Sequence, residues 1–133
     1  MRYMLDTNIC IYLMNRRSSR VVERFAAADK NDVVLSVITL AELRHGVERL
    51  TQTKGAAERA VALLLTWVPA APFYADAAVH YGVLAAAVRD RRRDALDRLI
   101  AAHALSLGVT LVTNNEADFT DYPGLLVENW VRA

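Results

Sequence analysis

Twice within its first fifty residues this chain runs a short apolar strand pattern straight into a helical one, with only a polar turn between them. Tyr3-Met4-Leu5 stops abruptly at Asp6, and Thr7-Asn8 then open Ile9-Cys10-Ile11-Tyr12-Leu13-Met14, a capped helix too apolar to be exposed. Val33-Val34-Leu35-Ser36 repeats the strand, and Val37-Ile38-Thr39-Leu40 leads at once into a helix with Leu40, Leu43, Val47 and Leu50 at helical spacing. Val109 to Thr113 is the clearest strand, bounded by Gly108 and Asn114-Asn115, while Trp67-Val68-Pro69 and Leu125-Leu126-Val127 read as short extended segments. Helical patterns fill the rest: one capped by Ser18-Ser19, then about 56–65, 74–89 and 94–107, the last stopping at Gly108. Strands alternating with helices predict a parallel α/β sheet of four or five strands, covered on both faces, in one domain spanning 1–133.

Composition narrows the partners less than the pattern narrows the fold. With 133 residues and 54% hydrophobic content, the chain can bury one core. A net charge of +1 neither demands nor excludes nucleic acid, so any polyanion site must be local. The basic residues are almost all arginine, lysine occurring only at Lys30 and Lys54, and the guanidinium fork suits phosphate. The lone Cys10 excludes an intrachain disulfide and fits a reducing, cytoplasmic setting. No run approaches the ~20 apolar residues of a membrane span.

An acid at the carboxyl end of a parallel strand faces the crevice where such sheets bind ligands. Asp6 holds that place, although Asp is also a common helix N-cap. Glu42, Asp97 and Asp118 fall where the fold would carry them towards it. Glu42 lies off the Leu40-Leu43-Val47-Leu50 stripe, but Thr39 to Glu42 also has capping-box spacing. Asp97 shares a helical face with Ala101, Ala104 and Gly108, a strip of small residues that implies close packing. Asp118 follows the strongest strand, with Glu116 as a substitute and Thr113 and Asn115 as neutral oxygen donors. Carboxylates within ~5 Å of one another repel by about 3 kcal/mol per pair at an effective dielectric near 20. Raised pKa values or a divalent cation relieve that repulsion, and an oxygen-only donor set selects Mg²⁺ or Mn²⁺. Such an ion suits metal-assisted phosphodiester hydrolysis.

Met4-Leu5-Asp6-Thr7-Asn8, Ser36 to Leu43, Asp97 to Ala104, and Leu111 to Asn115 through Asp118-Phe119, taken together and in order, resemble the PIN-domain ribonucleases. Within them they are similar to the VapC toxins of bacterial VapBC toxin-antitoxin modules. The resemblance covers essentially the whole chain. It implies a three-layer α/β/α sandwich and a metal-dependent endoribonuclease with Asp6, Glu42, Asp97 and Asp118 in an acidic pocket. Asp6 and Asp97 would be the nearest ligands of Mg²⁺, for which Mn²⁺ can substitute, with Glu42 and Asp118 on a second ion or on water. Thr7, Asn8, Thr113 and Asn115 would support them. It also implies a VapB-type antitoxin as inhibitor, a homodimer, and tRNA as target class. The chain departs from the family pattern before Asp97, where Arg91-Arg92-Arg93-Asp94 carries no glycine.

Arg91, Arg92, Arg93 and Arg98 are candidates to hold RNA phosphates, with Arg89, or else form a solvated helix end. His103 is expected to be structural and His45 exposed; Trp67, Phe119 and Trp130 are expected at core or interface. Three other readings keep the sheet. A haloacid-dehalogenase-type phosphatase needs a second Asp where Asn8 stands. A receiver-like phosphoacceptor uses a lysine near its last strands, and none follows Lys54. A catalytically inactive metal-binding module would act through protein partners.

Overall fold

In a computed structural model, which describes residues 1–88 and 94–132, the alternation becomes five parallel strands and six helices. In chain order these are β1 (Tyr3–Leu5), α1 (Thr7–Asn15), α2 (Ser19–Ala27), β2 (Val33–Ser36), α3 (Val37–Glu48) and α4 (Lys54–Trp67). There follow β3 (Ala70–Ala71), α5 (Ala75–Ala87), α6 (Ala95–Leu107), β4 (Thr110–Val112) and β5 (Val127–Glu128). The strand order is β3-β2-β1-β4-β5, with every pair parallel.

Side chains two apart on a strand face the same way, and the two cores follow that rule. Leu5, Val33, Leu35 and Val112 pack with Ile9, Leu13, Leu43, Leu64 and Trp130 on one face. Met4, Val34 and Leu111 pack with Leu84, Ile100, Ala101 and Ala104 on the other. The sheet is thus the middle of three layers. The small-residue strip of α6 does what its composition predicts: Ala101 and Ala104 are fully buried, which lets α6 lie close to its neighbours.

Several boundaries move for local reasons. The helix expected over 56–65 runs from Lys54 to Trp67, because nothing interrupts it before Pro69. The third strand therefore starts at Ala70 rather than Trp67. The last strand is Val127–Glu128, one step beyond the expected Leu125–Val127. Ser36 caps α3 by accepting the Ile38 N–H at 3.0 Å, so the Thr39–Glu42 capping box does not form. Gly108 ends α6 in the left-handed region at φ 68°, the conformation that favours glycine.

Candidate active site

The strand order reverses between β1 and β4, since the chain builds outward from β1 through β2 to β3 and then returns to the opposite side. Brackets of this kind open a crevice at the carboxyl ends of the two strands. Asp6 follows β1 and Thr113 follows β4, and the two meet there. Asp6 continues the ladder through its N–H to the Val112 carbonyl at 3.0 Å. Both side chains are buried, Asp6 at 6% exposure and Thr113 at 0%.

Asp6 fills both roles the sequence left open. One carboxylate oxygen accepts the Ile9 N–H at 2.9 Å and caps α1. The same side chain lines a cavity of about 110 Å³ with Thr7, Asn8, Glu42, Asp97, Ile100, Asn115 and Phe119. Burial pushes the Asp6 carboxyl up to about 6, and the Asp97 and Glu42 charges add to that shift. Hydrogen bonds from Thr113 and from the Ile9 N–H oppose it without cancelling it.

Glu42 comes from the second turn of α3. The Thr7 hydroxyl donates to its Oε1 at 2.7 Å, and the Thr39 hydroxyl lies 3.4 Å from the Thr7 oxygen. Helix α1 and helix α3 are thereby tied across the mouth of the cavity. Asp97 enters from the first turn of α6, where an acid also complements the helix dipole. The Thr113 hydroxyl oxygen accepts the Asn115 N–H at 3.0 Å, which folds the loop after β4 back so that Asn115 faces the acids.

Asp118 stands apart from the other three acids. It sits on an exposed single-turn 3-10 helix, Glu116–Asp118, and does not line the cavity. Phe119 is buried at 2% exposure, and turning that ring inward carries its neighbour Asp118 outward. Glu116 does not replace it: Arg132 donates to Glu116 Oε1 at 2.6 Å, and that guanidinium holds the Glu116 carboxyl below the usual range. Arg98, a candidate phosphate contact in the sequence, is turned inward. It is 6% exposed with its guanidinium over the Tyr81 ring at 5.9 Å, because α6 turns this position towards α5. Arg89, Arg91, Arg92 and Arg93 lie outside the described residues.

His103 is structural, as expected. It is fully buried, with Nδ1 at 2.7 Å from the Ser36 hydroxyl and Nε2 at 2.9 Å from the Pro72 carbonyl. A carbonyl only accepts, so Nε2 carries the proton and Nδ1 accepts from Ser36. His45 and Trp67 are exposed, while Phe119 and Trp130 are core.

The donor set of the cavity is carboxylate, amide and hydroxyl oxygen, with neither sulfur nor imidazole lining it. Among the described residues no three acid, imidazole or thiol side chains are gathered tightly enough to hold an ion as they stand. The oxygen-only lining suits a hard divalent cation, which takes a few carboxylates and keeps some of its waters.

Comparison with known proteins agrees with this fold. The PIN domain family model matches residues 3–125. Ribonuclease VapC2 of Rickettsia felis is 35% identical over 133 residues, covering 98% of each chain. The tRNA(fMet)-specific endonuclease VapC of Shigella flexneri is 33% identical over 135 residues, again covering 98% of each. The structure of VapBC-1 from nontypeable Haemophilus influenzae superposes with a TM-score of 0.84 at 36% identity, covering 99% of this chain and 100% of that one. The chain belongs to the PIN domain family.

Proposed function

We propose that this protein is the toxin of a type II toxin-antitoxin module, an endoribonuclease that hydrolyses RNA phosphodiester bonds with Mg²⁺ or Mn²⁺, and that a VapB-type antitoxin inhibits it. The observation that carries the reading is the meeting of Asp6, Glu42 and Asp97 on one small cavity at the reversal point of the sheet. The names of full-length relatives support ribonuclease activity, and that of the Shigella flexneri relative supports tRNA as the substrate class.

Asp6 and Asp97 would hold the cation, with Glu42 beside them. When bound, the ion supplies Lewis-acid polarisation of a phosphate oxygen and lowers the pKa of water. The chain's own groups do the rest. Thr113 donates to Asp6 and, with the Ile9 N–H, fixes the orientation of that carboxylate. Thr7 engages Glu42 Oε1, which leaves the second oxygen of Glu42 to accept a proton from the attacking water. Asn8 and Asn115 offer amide groups to the phosphate or its sugar, and Ile100 and Phe119 supply an apolar wall that limits water in the cavity.

The test is cleavage of total cellular RNA by protein freed of its antitoxin. Cleavage is expected with Mg²⁺, is expected to stop with EDTA, and is expected to be absent from Asp6→Asn. Cleavage that survives either treatment contradicts the assignment. A protein that binds Mn²⁺ and antitoxin but cleaves no RNA would favour the inactive metal-binding module.

A further inference from the structure

A second feature of the surface stands apart from the acidic cavity. A cleft of about 600 Å³ is lined by Tyr12, Arg17, Ser18, Ser19, Arg20 and Val131, with no acid among them. Four of the cations on this surface meet a carboxylate. Arg24 pairs with Glu128, Arg44 with Glu48 and Glu58, Lys54 with Glu48, and Arg132 with Glu116. Arg17 and Arg20 form no ion pair among the described residues, although both are exposed.

The cleft is also oriented for anions. Ser18 caps α2 by accepting the Val21 N–H at 3.3 Å, which leaves the first-turn N–H groups of Ser19 and Arg20 without an intrahelical partner. Helix α2 has no acid in that first turn to neutralise its positive end. The Arg17 guanidinium lies 6.0 Å from the centre of the Tyr12 ring, so its charge stays on the cleft wall.

Hydrogen bonds join this wall to the acidic cavity. Asn114 donates to the Tyr12 hydroxyl at 3.5 Å, Asn129 donates to the Asn114 side-chain oxygen at 3.4 Å, and Val131 donates its N–H to the Asn129 side chain at 2.8 Å. Asn115, next along the chain from Asn114, lines the cavity. Helix α1 spans the same interval, from Thr7 at the acids to the turn before Arg17. At nine residues it is roughly 13 Å long.

The geometry points to this cleft as a binding site for RNA backbone phosphates, with Arg17 and Arg20 holding the strand that runs past Tyr12 and Asn114 from the acidic cavity. This rests on the nuclease reading above and adds where the substrate lies. Acids would dominate the field at the cavity and repel a polyanion, so a separate cationic hold on the flanking strand is what an RNA substrate needs.

The measurement is fluorescence anisotropy of a labelled single-stranded RNA 12-mer on full-length Asp6→Asn protein, across a salt series. Adding Arg17→Glu and Arg20→Glu is expected to weaken binding at least tenfold. The slope of log affinity against log salt should fall by about 1.4, two phosphate contacts at ~0.7 each. Arg17→Gln with Arg20→Gln, which adds no acid, should give a smaller loss in the same direction. Arg59→Glu on α4, the same single charge reversal outside both the cleft and the cavity, should change the slope by less than half as much. The proposal is overturned if affinity and slope do not change in the folded variants, or if Arg59→Glu does as much. It is also overturned if the double variant binds RNA normally but has lost the antitoxin, which would make the cleft part of a protein interface. Absence of cleavage by wild type would remove the nuclease reading and leave this binding result standing. Normal cleavage with an RNA-indifferent cleft would remove only the cleft.

Discussion

The Thr7 hydroxyl donates to Glu42 Oε1 at 2.7 Å, joining residues 35 apart in the chain. Because Thr7 opens α1 directly after Asp6, the bond ties the rotamer of one cavity acid to the backbone position of another.

Removing that bond should cost activity before it costs fold. A hydrogen bond to a charged group contributes about 1.5–3 kcal/mol, so Thr7→Val should lower kcat/KM by roughly 10- to 100-fold. Thr7→Ser, which keeps the hydroxyl, should stay within a few-fold of wild type. Steady-state cleavage of one defined RNA by the three proteins checks this. Equal activity of Thr7→Val and wild type would show that Glu42 does not depend on Thr7.

Asp6 makes the metal-free protein less stable as the pH rises. Its carboxyl moves from the ordinary 3.8 to about 6 on folding, so the native state holds the proton more tightly than the unfolded chain. Its favourable contribution is complete below about 3.8 and is lost as pH climbs through about 6. At about 1.4 kcal/mol per pH decade the loss is on the order of 3 kcal/mol by pH 7. Asn can cap α1 as Asp does. Metal-free Asp6→Asn should therefore be the more stable protein at pH 7, and that advantage should vanish near pH 4. Urea unfolding of both proteins at the two pH values measures it. A variant less stable than wild type at pH 7 would contradict the burial argument.

His103 imposes the opposite slope. Burial holds its imidazole below the usual range, so protonation opposes folding and stability is lost as pH falls below about 6.5. His103→Leu leaves the buried Ser36 hydroxyl without an acceptor and releases the Pro72 carbonyl, and should cost about 1–3 kcal/mol in the same assay, chiefly through the hydroxyl. It should also flatten the acid limb of the profile. A Leu variant with wild-type stability would mean that water satisfies those groups.

The strands and most helices are legible in the chain because each apolar run has a period, and the turn residues beside it have one local use. Asp6 is legible for the same reason: a strand end is a local feature. Asp118 is not. Its position depends on which way the loop after β4 rolls, and that is decided by burial of Phe119 and by the Asn115 N–H bonding to Thr113. Neither contact has a sequence period. The burial of Arg98 is not legible either: it belongs to an arginine-rich segment in sequence, but the packing of α6 sends it under Tyr81. The basic cleft went unread because Tyr12, Arg17, Arg20 and Val131 are separated by more than a hundred residues at the extreme, and only the closing of the sheet brings Val131 to α1.

The central claim is that the cavity shared by Asp6, Glu42 and Asp97 is the cation site. Titrating Mn²⁺ into purified protein, with free ion followed by electron paramagnetic resonance, tests it most directly. Wild type should bind Mn²⁺, Asp6→Asn and Asp97→Asn should each lose at least tenfold in affinity, and Asp118→Asn should lose much less than either. Wild-type affinity in Asp6→Asn and Asp97→Asn, or a larger loss from Asp118→Asn than from both, would place the ion elsewhere and contradict the account.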